Sequence, residues 1–93
     1  MTNQEKMEAG VAKWKAHLAT LTGGAYTQYA HNCAAKLGDY AGSIESGSIN
    51  YPFLDGVSYP DLRMAEDYFR SAAITAHRSA MESDVKANLG VAA

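Results

Sequence analysis

The chain has 93 residues, enough for one domain, with 8 basic and 10 acidic side chains and a formal net charge of −2. That balance lacks the basic face expected for binding duplex nucleic acid, and the apolar residues form no run long enough for a transmembrane helix. The first residues, MTNQEKMEAG, carry Glu5 and Glu8 and no continuous apolar stretch, so they do not read as a secretory signal. The single cysteine, Cys33, excludes an internal disulfide and fits a reducing cytoplasm. Alanine supplies 17 residues, whereas Leu, Ile, Val and Phe together supply 15. An alanine core buries little area per residue, and a small domain buries a modest fraction of its surface. Composition therefore predicts that the chain completes its core as a homo-oligomer, with a monomer as the alternative.

Thr2-Asn3-Gln4-Glu5 has the spacing of a capping box. Met7, Val11, Trp14, Leu18 and Leu21 follow at steps of four and three, one stripe of an amphipathic helix. Thr22-Gly23-Gly24 then ends it. Helix A is predicted over 3–21. A second stripe, Tyr26, Ala30, Cys33, Leu37, Tyr40 and Ile44, predicts helix B over 25–44. Gly38 lies off this stripe and costs about 1 kcal/mol relative to alanine.

Residues 45–58 read as a loop. Pro52 and Pro60 favour extended backbone at Tyr51 and Tyr59, and Asp55-Gly56 is a turn pair. A short hairpin over 49–58 is possible, but irregular loop is preferred, because an isolated hairpin is marginal in water. Pro60 opens helix C, with Ser58 or Tyr59 as its cap and Asp61 in its first turn. Leu62, Ala65, Phe69, Ala72, Ala73, Ala76 and Ala80 form its stripe, which Met64, Ile74, Met81 and Val85 widen. Gly90 ends the helix, giving 60–89. The alanines at 72, 73, 76 and 80 would let another backbone approach closely. The expected fold is all-α: three helices in a single domain, B and C forming a long antiparallel hairpin with A packed across it, oligomerising through helix faces. At fourteen residues the loop is longer than bundle connections usually are, which predicts that it forms a wall of a ligand pocket or an interface.

No residue pattern supports an enzyme. His31 and Cys33 are two apart on a helix and point to different faces, and Cys33 lies on the apolar stripe, as a buried thiol would. His17, His31 and His77 have no ligand-spaced companions, so no metal and no cofactor is expected. Glu66-Asp67 and Glu82/Asp84 read as solvated helix surface, with Glu66 and Arg70 as an i, i+4 pair. Neither phosphate-cradling glycine loop is present. Arg63, Arg70 and Arg78 instead fall within about 80° of one another around helix C. Lys36 lies on helix B, and Tyr51, Phe53 and Tyr59 lie on or beside the loop. Guanidinium groups and aromatic faces together suit a nucleotide, and equally a protein interface.

Ala65-x-x-x-Phe69-x-x-Ala72-x-Ile74-x-x-x-Arg78 resembles the second helix of a phage immune-evasion hairpin family, the anti-CBASS and anti-Thoeris nucleotide sponges. AAKLGDYAGSIES, residues 34–46, is similar to that family's first helix. The family follows its arginine helix with a proline, where Met81-Glu82-Ser83 here continues the helix. The resemblance implies an all-helical, oligomeric, non-catalytic protein in the cytoplasm of an infected bacterium. Such a protein would sequester a cyclic di- or trinucleotide messenger between subunits, with no membrane and no duplex nucleic acid as partner. It carries Arg78 over as the phosphate contact and Lys36 as a second. Arg70, Tyr51 and Tyr59 complete the candidate ligand set. The competing expectation is a small inhibitor, anti-CRISPR-like, that docks on a host defence complex through its tyrosine-rich loop.

Overall fold

The computed structural model describes residues 1–47 and 51–92. Three α-helices follow one another: α1 over Asn3–Leu18, α2 over Gly23–Ser46 and α3 over Tyr59–Ala92, with a 3-10 turn at Pro52–Leu54 before α3. No strand occurs among the described residues. Ser48, Ile49 and Asn50 lie outside them, and so does that part of the 45–58 loop and of the hairpin considered over 49–58. From Tyr51 onward the segment is a 3-10 turn and then a turn at Gly56, where φ is +78°.

The first and third helices begin on side-chain caps. Thr2 caps α1: its hydroxyl accepts from Glu5 N at 3.1 Å, and Glu5 Oε1 accepts from Thr2 N at 3.0 Å, so two orphan donors are satisfied reciprocally. Ser58 caps α3, its Oγ accepting from Asp61 N at 3.3 Å. The ends differ from the expectation. α1 stops at Leu18, not Leu21, because Thr20 N and Leu21 N turn back to the carbonyls of His17 and Leu18, the tighter bonding common in a final turn. α2 runs two residues past Ile44, to Ser46, and closes on Gly47 at φ +72°, the left-handed cap glycine supplies. α3 passes through Gly90 to Ala92; glycine tolerates the helix and does not compel an exit from it.

α2 and α3 form the antiparallel hairpin. Glu45 meets Arg63, Gly38 meets Glu66, and Thr27 and His31 lie beside Ala76 and Ala80. The buried core is Leu18, Ala30, Cys33, Ala34, Leu37, Ala41, Leu54, Val57, Leu62, Ala65, Phe69 and Ala73. Alanines supply five of these twelve positions, so the two backbones approach closely. α1 covers the loop end of the hairpin, running in the same sense as α3. Gln4 Oε1 accepts from Ser58 N and Gln4 Nε2 donates to Asp61 Oδ2, both at 2.7 Å. Further along, the Trp14 ring meets Phe69 edge-on and the Lys15 ammonium lies 4.2 Å from the centre of the Tyr68 ring.

Beyond Ala73 no residue of α3 whose burial is described is fully buried. Ala72 and Ala76 are half-buried and Ala80 is exposed. The four residues expected to widen the core stripe, Met64, Ile74, Met81 and Val85, are all exposed. At 100° per residue, Ile74, Met81 and Val85 lie on a face turned well over 90° from Leu62, Phe69 and Ala73, so they belong to a second face. α3 has 34 residues and α2 has 24. With α2 beginning opposite the early eighties of α3, the last turns of α3 project alone, and the molecule measures 58 × 26 × 17 Å.

Phe69 is the largest fully buried side chain, and its ring meets Trp14 of α1 edge-on. Phe69→Ala should cost about 3–5 kcal/mol, much of the stability of a small domain. Urea unfolding followed by circular dichroism measures this.

Candidate functional site

The candidate residues do not converge in one chain. They fall into three groups along the hairpin.

The first group is an ion-pair network centred on Glu66. Its carboxylate accepts from Arg63 Nη1 at 2.7 Å and from Arg70 Nη2 at 2.6 Å. Arg63 also reaches Glu45 Oε2 at 2.9 Å and donates from Nε to Tyr59 Oη at 2.9 Å; Tyr59 in turn donates to Glu45 at 3.0 Å. Arg70 and Tyr59, both expected to contact ligand, are thus engaged within the fold. Glu66 was expected on solvated surface and is instead 7 % exposed. The reason is Gly38: a Cβ placed there would stand 2.6 Å from Glu66 Oε2. Only the missing side chain admits the carboxylate between the helices. The Arg63 guanidinium holds the Glu66 carboxyl below the usual carboxylate range against the opposing effect of burial, with Arg70 adding to it. The signal lay in the sequence, since Glu66 falls at core spacing between Leu62 and Phe69.

The second group is aromatic. Tyr40, Tyr51 and Phe53 have ring centres 5.0–5.5 Å apart in edge-to-face and tilted pairs. Tyr51 donates its hydroxyl to Asp39, which fixes the ring, and Phe53 is 51 % exposed.

The third group consists of exposed cations. Arg78 lies on the exposed face of α3, in a shallow apolar groove with Met81 and Val85. Lys36 is exposed on α2. Among the described residues neither makes an ion pair. In the hairpin register Arg78 lies opposite the first turns of α2, ten positions from Lys36, so about 15 Å separates them along the axis. The two cannot grip one phosphate within a chain.

Cys33 is buried, and burial pushes its thiol up, away from thiolate character. Among the described residues no group of three or more His, Cys, Asp and Glu side chains could hold a metal. No helix among them is long and apolar enough to cross a membrane.

Two tests address the network. Gly38→Ala gains helix propensity but collides with Glu66, and should destabilise by about 1 kcal/mol net. In a Glu66→Ala background the same change should stabilise by about 1 kcal/mol. A double-mutant cycle in urea reads the coupling. The Glu66 carboxyl is lowered in the folded state, so its contribution is fully present above about pH 4.3, the unfolded value. It is lost as pH falls through the lower folded value. Urea midpoints between neutral pH and pH 3 should therefore fall less steeply in Glu66→Gln than in the wild type.

No protein-family model, curated protein or solved structure matches the chain.

Proposed function

We propose that the chain is a non-catalytic phage anti-defence protein. It takes up a cyclic di- or trinucleotide messenger without hydrolysing it, in sites completed by self-association through α3. The observation that carries this reading is the exposed outer face of α3, which runs on into its unpacked end. Ile74, Met81, Val85 and Leu89 are exposed there, with Arg78 among them. The chain exposes 6203 Å², where a compact monomer of this mass exposes about 5,200 Å². Its radius of gyration is 16.8 Å, against about 12 Å for a compact domain of this length. The excess area, about 1,000 Å², matches the roughly 800 Å² per partner that a standard interface covers. Apolar surface beside a guanidinium that makes no ion pair among the described residues suits a ligand with flat bases and charged phosphates.

A second reading rests on a different observation. The Tyr40, Tyr51 and Phe53 cluster is close-packed and partly exposed, and aromatic anchors of this kind dominate protein interfaces. On that reading the protein inhibits a host defence complex, and Phe53→Ala removes its grip.

Thermal unfolding with a panel of cyclic di- and trinucleotides and cyclic ADP-ribose variants separates the two, run beside a molar-mass measurement. A ligand at a hundred times its dissociation constant adds about 2.7 kcal/mol, several degrees in a domain of this size. One messenger should give that shift, and Arg78→Ala should lose it while the molar mass stays that of the wild type. Tight binding by Arg78→Ala would overturn the assignment of that residue. A flat panel would favour the inhibitor.

A further inference from the structure

Between α1, α2 and the 3-10 turn lies a cleft of about 180 Å³. Met7, Trp14, Tyr40 and Phe53 wall it, and on α1 its lining includes Gly10. A Cβ built on Gly10 meets nothing within 4 Å, so no side chain from a neighbouring element fills that space. Met7 and Trp14 pack against the core and are only half-buried, leaving apolar surface turned to the cleft. An apolar cavity of about 150 Å³ accepts benzene, so the space suits a single six-membered ring. Three aromatic side chains around it supply faces and edges for such a ring. The charged residue in the lining is Lys6, and among the described residues no carboxylate lies within ion-pair distance of it. Asn3, the other polar residue there, donates its amide to Asp55 O at 2.9 Å and keeps its own carbonyl oxygen as an acceptor.

We propose that this cleft binds a small anionic aromatic molecule, one ring bearing a carboxylate. The ring lies among Met7, Trp14, Tyr40 and Phe53 and the carboxylate meets the Lys6 ammonium. The site is independent of the nucleotide reading: it is too small for a cyclic dinucleotide, and Arg78 lies at the other end of the hairpin.

Trp14 is the one tryptophan in the chain and stands in the cleft wall, so its emission reports occupancy. Benzoate titrated into the full chain should change that emission saturably, with a dissociation constant on the order of 1 mM or below. Benzyl alcohol, which keeps the ring and lacks the charge, should bind about fivefold more weakly. Lys6→Met should bring benzoate down to the level of benzyl alcohol. Gly10→Leu should fill the cleft and abolish both responses with helical content and melting temperature retained. Gly10→Ala, a smaller change, should weaken both. The proposal is overturned by an unsaturable response, by benzoate binding unchanged in both Gly10 variants, or by equal binding of the charged and neutral probes. Saturable binding of a capped Asp-Phe dipeptide with no response to benzoate would also overturn it, in favour of a partner's aromatic side chain.

Discussion

The contact of Gly38 with the Glu66 carboxylate governs how the hairpin closes. A carboxylate taken out of water costs several kcal/mol unless its oxygens are satisfied. Here each oxygen receives a guanidinium, one from Arg63 a turn before and one from Arg70 a turn after. Both arginines share α3 with it, and the gap at Gly38 lets the carboxylate lie buried between them. Gly42, one turn further along α2, also lacks a Cβ, so glycine alone does not fix the register. Leu37 and Phe69, both fully buried, do the rest: a one-turn slip would withdraw them from the core while Glu66 still found a gap. The polar and apolar requirements coincide in one alignment.

The same alignment divides the molecule. Toward the loop, α1 lies over the hairpin, Gln4 holds the first turn of α3, and the core has its large side chains. Toward the other end α1 has stopped, α2 has yet to begin, and α3 carries on. An isolated helix of about three turns is marginal in water, so this overhang depends on continuity with the packed half of α3. The alanine-rich composition has its structural counterpart here. The interface of α2 and α3 is narrow because five of its core positions are alanine, and a narrow interface leaves the outer faces of both helices uncovered.

Helices, their number and the hairpin were legible because each stripe repeats at steps of three and four. The capping box at Thr2 and Glu5 was legible for a similar reason: it is a short-range bond between two named residues. Glu66 was not, although its spacing from Leu62 and Phe69 marks it as inward-facing. A charged residue at a core position is read as surface until its partner is known, and that partner is an absence of atoms at residue 38, on another helix. The exposed face of Ile74, Met81 and Val85 was misread for the complementary reason. Apolar residues on a long helix look like one broad stripe, and only the end of the neighbouring helices separates the face that packs from the face that does not. Arg63, Arg70 and Arg78 form a row by angle, yet two are neutralised within the fold by Glu66 and Glu45.

That neutralisation constrains the nucleotide reading. With Arg63 and Arg70 engaged, each chain brings one guanidinium on α3 to a ligand, and Lys36 is too far along the hairpin to join it. A cyclic dinucleotide carries two phosphates and a trinucleotide three. A single Arg78 on an open helix face would meet one of them in high dielectric, where an exposed ion pair is worth about 1 kcal/mol or less. Two or three copies placed around a symmetry axis would bring one Arg78 to each phosphate. They would also cover the apolar face beside it, which lowers the local dielectric and strengthens every pair. On this reading charge matching and burial of the Ile74, Met81 and Val85 face are one event. The unpacked end of α3 then belongs to a binding site that a single chain holds only in part.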